Sequence, residues 1–410
     1  MPQQLSQSDL IDICAGACVL GSGGGGSYVV SKRVVKKAVQ PGQSVTVVNP
    51  TDLSPDAYVC VCADMGAPHL AFSKPSAYAA SNAVTGLEDL FFQLKNVSAK
   101  HFDAVVPIEV GAISTAVALI AAHEHGIVTV DADGAGRSVP RLEMLLYSAY
   151  GEQLGFTWFP TCVATDSDPG TPFNSGYIKI AGSSPAVGAE GAFFGLASSP
   201  PFGSLCGLAM WPMQARTIQQ NPPAPGTITD ALTIGRMVQG GACGATLVEQ
   251  IGQYLATGRP APLPPRTSRM IFHGYLANMV QESGTLDIGQ TVIGSQPDGS
   301  GQQLTIFYQN ENLVASLVAD PTQPYIMGPD TIAIIPATPL GSPGQSVTDN
   351  SDLLNLWRWG VRPIEVYVMG IEAPKIVREN KTLVGNWLTT LQGMVGYAGP
   401  FVQPWLTSGT

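Results

Sequence analysis

Two short segments carry the residue types from which chemistry is made. Pro107-Ile-Glu-Val-Gly111 ends an apolar run, Ala104–Ile108, in a carboxylate and a glycine. Val130-Asp-Ala-Asp-Gly-Ala-Gly-Arg137 ends a second apolar run, Ile127–Val130, in two carboxylates and a guanidinium. Glu109, Asp131 and Asp133 are therefore candidate catalytic residues, one as general base and the others as positioning groups. The same three carboxylates suit a divalent cation bound through oxygen, and His69 completes that set of metal-ligand candidates. A third role for strand-end carboxylates is to cap a helix and satisfy loop amides. Asp131 and Asp133 share a face if the strand reaches them. The fork of Arg137 matches a substrate carboxylate, or an ion pair that orders Asp131 or Asp133.

These groups need elements to position them. Ile113–His125 has a helical pattern between the two apolar runs, which gives strand–helix–strand. Both polar ends then lie at the C-terminal edge of a sheet, where ligands sit in open α/β folds. Upstream, Ser6 and Asp9 read as a helix N-cap pair. That helix stops at Gly21-Ser-Gly-Gly-Gly-Gly26, and a second covers Tyr28–Val39. Strands are predicted over 44–48, 58–63 and 156–163, and helices over 78–94 and 140–151. This alternation predicts an α/β domain over residues 1–168, with a largely parallel sheet covered by helices in three layers. Residues 169–410 predict a mostly β domain, a barrel or sandwich, with one long helical region at about 229–257. Gly235 and Gly240 within that region cost helix stability and suit close packing.

Composition narrows the partners. The chain has 410 residues, 45% apolar and only 12% charged, with a formal net charge of −10. Low charge favours large cores or buried subunit surface over disorder, so a homo-oligomer is expected. An acidic chain without a Lys/Arg cluster excludes nucleic acid and anionic membrane as partners. No apolar run reaches membrane-spanning length, and no leader is evident. Seven scattered cysteines read as reduced thiols of a cytoplasmic protein.

Other motifs are weaker. Gly21, Gly23 and Gly26 spell G-x-G-x-x-G, but a helix rather than a strand comes first, so no nucleotide is expected. Gly23, Gly24, Gly25 and Gly26 read either as a loop whose N–H groups cup an anion or as a tight helix–helix connection. His123 and His125 are two apart on a helix and point to different faces. Cys162, Cys206 and Cys243 are each a conceivable nucleophile. Scarce histidine and the lack of a nucleophile elbow disfavour a serine-hydrolase triad. Phe307–Asn312 reads as a hairpin turn or an inter-domain polar cluster.

Taken in order, Leu20–Gly26, Met65-Gly-Ala-Pro68, Pro107–Gly111, Val130–Arg137 and Gln309-Asn-Glu311 resemble the S-methyl thiohydantoin desulfurase-like family. The resemblance runs from about residue 8 to about residue 400. It implies a three-layer α/β N-terminal domain and a β-barrel-like C-terminal domain. It also implies hydrolysis at a five-membered cyclic amide or imide, in which water attacks a ring carbon and a thiol leaves. Glu109, Asp131 and Asp133 would then be catalytic. Gly23 to Gly26, Met65, Pro68, Arg137 and Asn310 would bind substrate. Genes of this family often adjoin or fuse with hydantoinase/oxoprolinase-type genes. The alternative function is therefore a non-catalytic partner or regulatory subunit of such an enzyme.

Overall fold

A computed structural model describes residues 2–66, 76–153, 159–180, 185–203, 205–283, 286–340 and 345–402. The first half is built on an eight-stranded sheet. Its strands are β1 Gln3–Ser6, β2 Ser44–Val48, β3 Tyr58–Gly66, β4 Ala104–Pro107 and β5 Val128–Val130, with β7 Phe159–Ala164, β8 Ser175–Ile180 and β9 Leu205–Gln214. A two-residue strand, β6 Ala132–Asp133, pairs with β10 Ala224–Pro225 outside that sheet. The spatial order is β1-β2-β5-β4-β3-β9-β7-β8. The four central strands, β2 to β5, are parallel, and the flanking strands are antiparallel. Buried apolar side chains cover both faces of this sheet, as parallel strands require.

One covering layer is set by the chain's own caps and glycines. Ser6 and Asp9 form a capping box that starts the helix Gln7–Leu20. Gly16 of that helix faces Ala231, and Gly235 faces the Asp12 backbone, so a side chain at either glycine would overlap main chain. Helix 7–20 and helix Thr227–Gln239 thereby meet backbone to backbone. The long helical region is broken in two, Thr227–Gln239 and Gly244–Gln253, because Gly240 and Gly241 end the first turn set. The predicted helix over 140–151 narrows to a 3₁₀ turn, Leu142–Met144, and the helix Leu146–Gln153. The large sheet also takes in β8 and β9 from beyond residue 168.

The second half is a curled antiparallel sheet. Its strands are β11 Ser268–Glu282, β12 Ile288–Gly294, β13 Gln303–Gln309, β14 Glu311–Ser316, β15 Ile326–Met327, β16 Thr331–Pro336 and β17 Glu365–Ile371, in the order β15-β14-β13-β12-β11-β17-β16. It encloses its own apolar core, with Ile306, Ile332 and Val368 fully buried. Asn310, at φ +54°, makes the tight turn from β13 to β14. β14 returns beside β16 without a ladder, and the seam is filled by Ser22 from the glycine loop. Asn312 N donates to Ser22 O at 2.7 Å, and Ile332 N donates to Ser22 Oγ at 2.9 Å. Asn312 Nδ2 crosses the seam to Ile332 O at 2.8 Å. No helix among the described residues is long and apolar enough to cross a membrane.

Candidate active site

β3 and β4 are adjacent and parallel, and both end at the same sheet edge. Asp64 and Met65 close β3, and Glu109 follows β4 by two residues. They line a cavity of ≈150 Å³ with mostly apolar walls, among them Ile108, Ile113, Leu145, Phe193 and Phe194. Gly25 and Gly26 of the glycine loop form part of the wall, and Asn310 and Glu311 enter it from the β13–β14 turn. The cavity is thus built by both halves of the chain. The remaining polar groups in its wall are Ser76, Ser114, Arg141 and Glu190.

Glu109 is held by two donors. Ser114 Oγ donates to Oε1 at 2.9 Å, and Val139 N donates to Oε2 at 2.7 Å. The residue stays partly open to the cavity. Burial pushes its carboxyl up to about 7, against those two hydrogen bonds. Glu311 is more enclosed. Its Oε1 receives Gly25 N at a long 3.4 Å, and its Oε2 is buried without a partner. Burial, with the Glu109 charge added, holds this carboxyl well above the ordinary range, and the Arg137 charge opposes them. A side chain on Gly24 would overlap the Glu311 carboxyl, so only glycine lets that strand turn approach so closely.

The three strand-end carboxylates do not converge. Asp131 turns to the helix Thr227–Gln239, where Oδ1 accepts Ile228 N at 2.9 Å and Thr229 N at 3.1 Å, and Oδ2 accepts Thr229 Oγ1 at 2.5 Å. It does for this distant helix what a cap does. Asp133 folds back on its own loop, with Oδ1 accepting the amides of Ala135 and Gly136, each at 2.6 Å. Neither lines the cavity. Asp131→Ala is accordingly expected to cost about 1–2 kcal/mol of stability and to leave turnover unchanged. Chemical denaturation beside a rate assay checks both halves of that expectation.

Arg137 is also placed elsewhere than expected. It is fully buried and absent from the cavity wall. Its Nη1 donates to Asp330 O at 2.7 Å, Nη2 to Asn312 O at 2.6 Å and Nε to Ser138 O at 2.9 Å. The guanidinium lies 5.3 Å from the Trp387 ring centre. These contacts tie the two halves together and leave no fork for a substrate carboxylate. Within the glycine loop, Gly23 and Gly24 pack on Asn312, Asn350 and Glu311. The Gly24 and Gly25 amides are already engaged by Gly21 O and Glu311, and Gly25 O caps the next helix through Ile113 N at 2.8 Å. That is the helix–helix connection of the two readings, not an anion cup at those amides. Met65 and Asn310 line the cavity, whereas Pro68 and His69 lie outside the described residues. Among the described residues, no group of three His, Cys, Asp or Glu side chains is placed to hold a metal. The Cys162 and Cys206 thiols are buried and pushed up to about 12 by that burial, which removes the thiolate at neutral pH.

Burial of so many acids has a thermodynamic consequence. Asp64 is pushed up to about 8, Glu109 and Glu190 to about 7, and Asp133 to about 6, in each case chiefly by burial. The folded chain therefore binds more protons than the unfolded chain between about pH 4 and 8. These folded-state values are raised, so stability is fullest below the unfolded values and is lost as pH rises through the folded ones. Each pH unit by which one pKa is displaced corresponds to about 1.4 kcal/mol. Thermal melts should show a higher midpoint at pH 5.5 than at pH 8.5. A flat or inverted profile would contradict this accounting of the buried acids.

Two family models match this chain. Residues 8–170 match the model described as S-Me-THD-like, N-terminal domain, and residues 197–384 match S-Me-THD-like, C-terminal domain. A crystal structure of a protein from Chromobacterium violaceum is similar throughout, with a TM-score of 0.78 and 25% sequence identity. That likeness covers 98% of this chain and 100% of the other. No curated protein matches the sequence.

Proposed function

We propose, from the premise that the chain belongs to the S-Me-THD-like family, that it hydrolyses an S-methyl thiohydantoin-type ring in the cavity between its two halves. One observation carries the reading: two of the glutamates that line one small cavity, Glu109 and Glu311, lie in environments that separate their proton affinities. Glu109, with two hydrogen-bond donors and an opening to the cavity, holds a charge more readily. Glu311, with one long contact and one unpartnered oxygen, holds a proton. A pair separated in this way supplies a base and an acid at one pH.

The chemistry balances on these two groups. Glu109 takes a proton from water as the oxygen bonds to the ring carbon that carries sulfur. The electron pair of the C=N bond moves to the ring nitrogen, which takes the Glu311 proton. The added hydroxyl then gives its proton to the Glu311 carboxylate as the carbonyl forms and the C–S bond breaks, and the leaving thiolate takes the proton held by Glu109. Water thus provides both protons, one for the ring nitrogen and one for the thiol. The apolar walls formed by Ile113, Leu145 and Phe193 exclude bulk water and favour a flat, weakly polar ring.

The test is incubation of purified protein with a 5-substituted S-methyl thiohydantoin, following thiol release and the hydantoin product together. Stoichiometric appearance of both supports hydrolysis. Intact ring after prolonged incubation, with folded protein, would sink this reading and restore that of a partner subunit for a hydantoinase/oxoprolinase-type enzyme.

A further inference from the structure

Asp64 is a carboxyl in the cavity that the mechanism above does not use. β3 and β4 pair in parallel as far as Cys62 and Pro107, and Ile108 N still donates to Cys62 O at 3.2 Å. Two residues beyond that last pair, on each chain segment, stand Asp64 and Glu109. Adjacent strands lie about 4.8 Å apart, so one sheet edge delivers a carboxyl from each of two neighbouring strands into one cavity. Asp64 is partly open there, while its Oδ1 is buried without a hydrogen-bond partner.

We propose that Asp64 is a second functional carboxyl of this site, which donates a hydrogen bond to a carbonyl oxygen of the bound ring. This rests on the hydrolase reading of the cavity. The charged group facing Asp64 among the described residues is another carboxylate, Asp166. Asp166 Oδ1 is already taken by the amides of Ala77 at 3.0 Å and Tyr78 at 2.7 Å, and by Ser76 Oγ at 3.4 Å. The thiols of Cys62 and Cys206 lie near enough to feel the Asp64 charge, and neither is ionised at neutral pH. Hydrogen bonds from Ser76 and from the Ala80 backbone favour a charged Asp64, but burial together with Asp166 outweighs them and pushes it up to about 8. A carboxyl that keeps its proton in an apolar site is a donor. Placed on a ring carbonyl, it draws electron density from the ring and makes the neighbouring carbon easier to attack.

The experiment compares Asp64→Asn and Asp64→Leu with the wild-type chain, on the same S-methyl thiohydantoin, from pH 6 to 10. The Asn variant still has a donor and should keep kcat/KM within about tenfold, the worth of one neutral hydrogen bond. Its alkaline limb should move upward from near pH 8, because an amide does not titrate. The Leu variant should lose about 10²–10³ in kcat/KM while melting no lower than wild type. Unchanged kcat/KM in the Leu variant overturns the proposal and leaves the hydrolase reading standing. So does an Asn variant as inactive as the Leu variant, since that outcome demands a carboxylate. If Leu prevents folding, the alkaline limb of the Asn variant decides: an unmoved limb overturns the role. A wild-type chain that consumes no ring overturns both readings together.

Discussion

Turnover in the Glu109→Gln variant is expected to fall by about 10²–10⁴-fold, the range that a positioned general base supplies. The substitution changes one oxygen for an amide nitrogen and keeps the shape. The Ser114 hydroxyl and the Val139 amide would each retain a neighbour, although only one of them would still face an oxygen acceptor. Stability should not suffer at neutral pH. The wild-type carboxyl is pushed up to about 7 by burial, so its ionised form costs free energy that a neutral amide does not. The rate profile gives a second reading. Wild-type kcat/KM should rise with pH through about 7, as Glu109 loses its proton, and the residual rate of the variant should lack that limb. Retention of full activity, or persistence of the limb in the variant, would remove Glu109 as the base.

The largest expected effect on stability is that of Arg137→Met. The straight Met chain fills most of the volume but ends the donations to Asp330 O and Asn312 O, which belong to the β half. It also withdraws the charge that opposes burial at Glu311. Removing one member of a buried, hydrogen-bonded charge arrangement typically costs about 3–5 kcal/mol. Denaturant unfolding should therefore give an unfolding free energy lower by that amount, or two separate transitions if the halves come apart. A loss below about 1 kcal/mol, the size of an exposed ion pair, would show that Arg137 does not hold the halves together. The variant should also lose rate, because Asn310 and Glu311 reach the cavity from the strand turn beside Asn312.

Much of the architecture could be read from periodicity. The parallel strands and most of the helices that cover them fall within a few residues of their expected places, and the later half holds the mostly β sheet expected of it. Glu109 was legible because a carboxylate two residues past a buried strand has one place to go, the sheet edge. Asp131 and Asp133 look identical to it along the chain. What separates them is the helix Thr227–Gln239, about a hundred residues away, whose free amides donate to the Asp131 carboxylate as a cap. Arg137 was misleading for the same reason, since its acceptors at 312 and 330 are visible only once the halves meet. Glu311 and Asp64 went unassigned as catalytic groups. Glu311 follows a turn that reads as an ordinary hairpin, and Asp64 precedes a glycine and a proline that draw attention to the loop. The matched ends of β3 and β4 were the available signal for Asp64.

Ser22 has a bearing on how the molecule assembles. The seam between β14 and β16 is sealed by a serine that precedes those strands by about three hundred residues. Contacts so far apart in sequence form late and slowly, because the loop they close carries a high entropic cost. During synthesis the glycine loop leaves the ribosome about three hundred residues ahead of these strands and waits for them. Until the two meet, β14 and β16 present backbone edges of the kind that recruit foreign strands. The β half made alone would carry that open edge permanently. The glycine loop is thus the last stave of the barrel, although it is made about three hundred residues before the strands it joins.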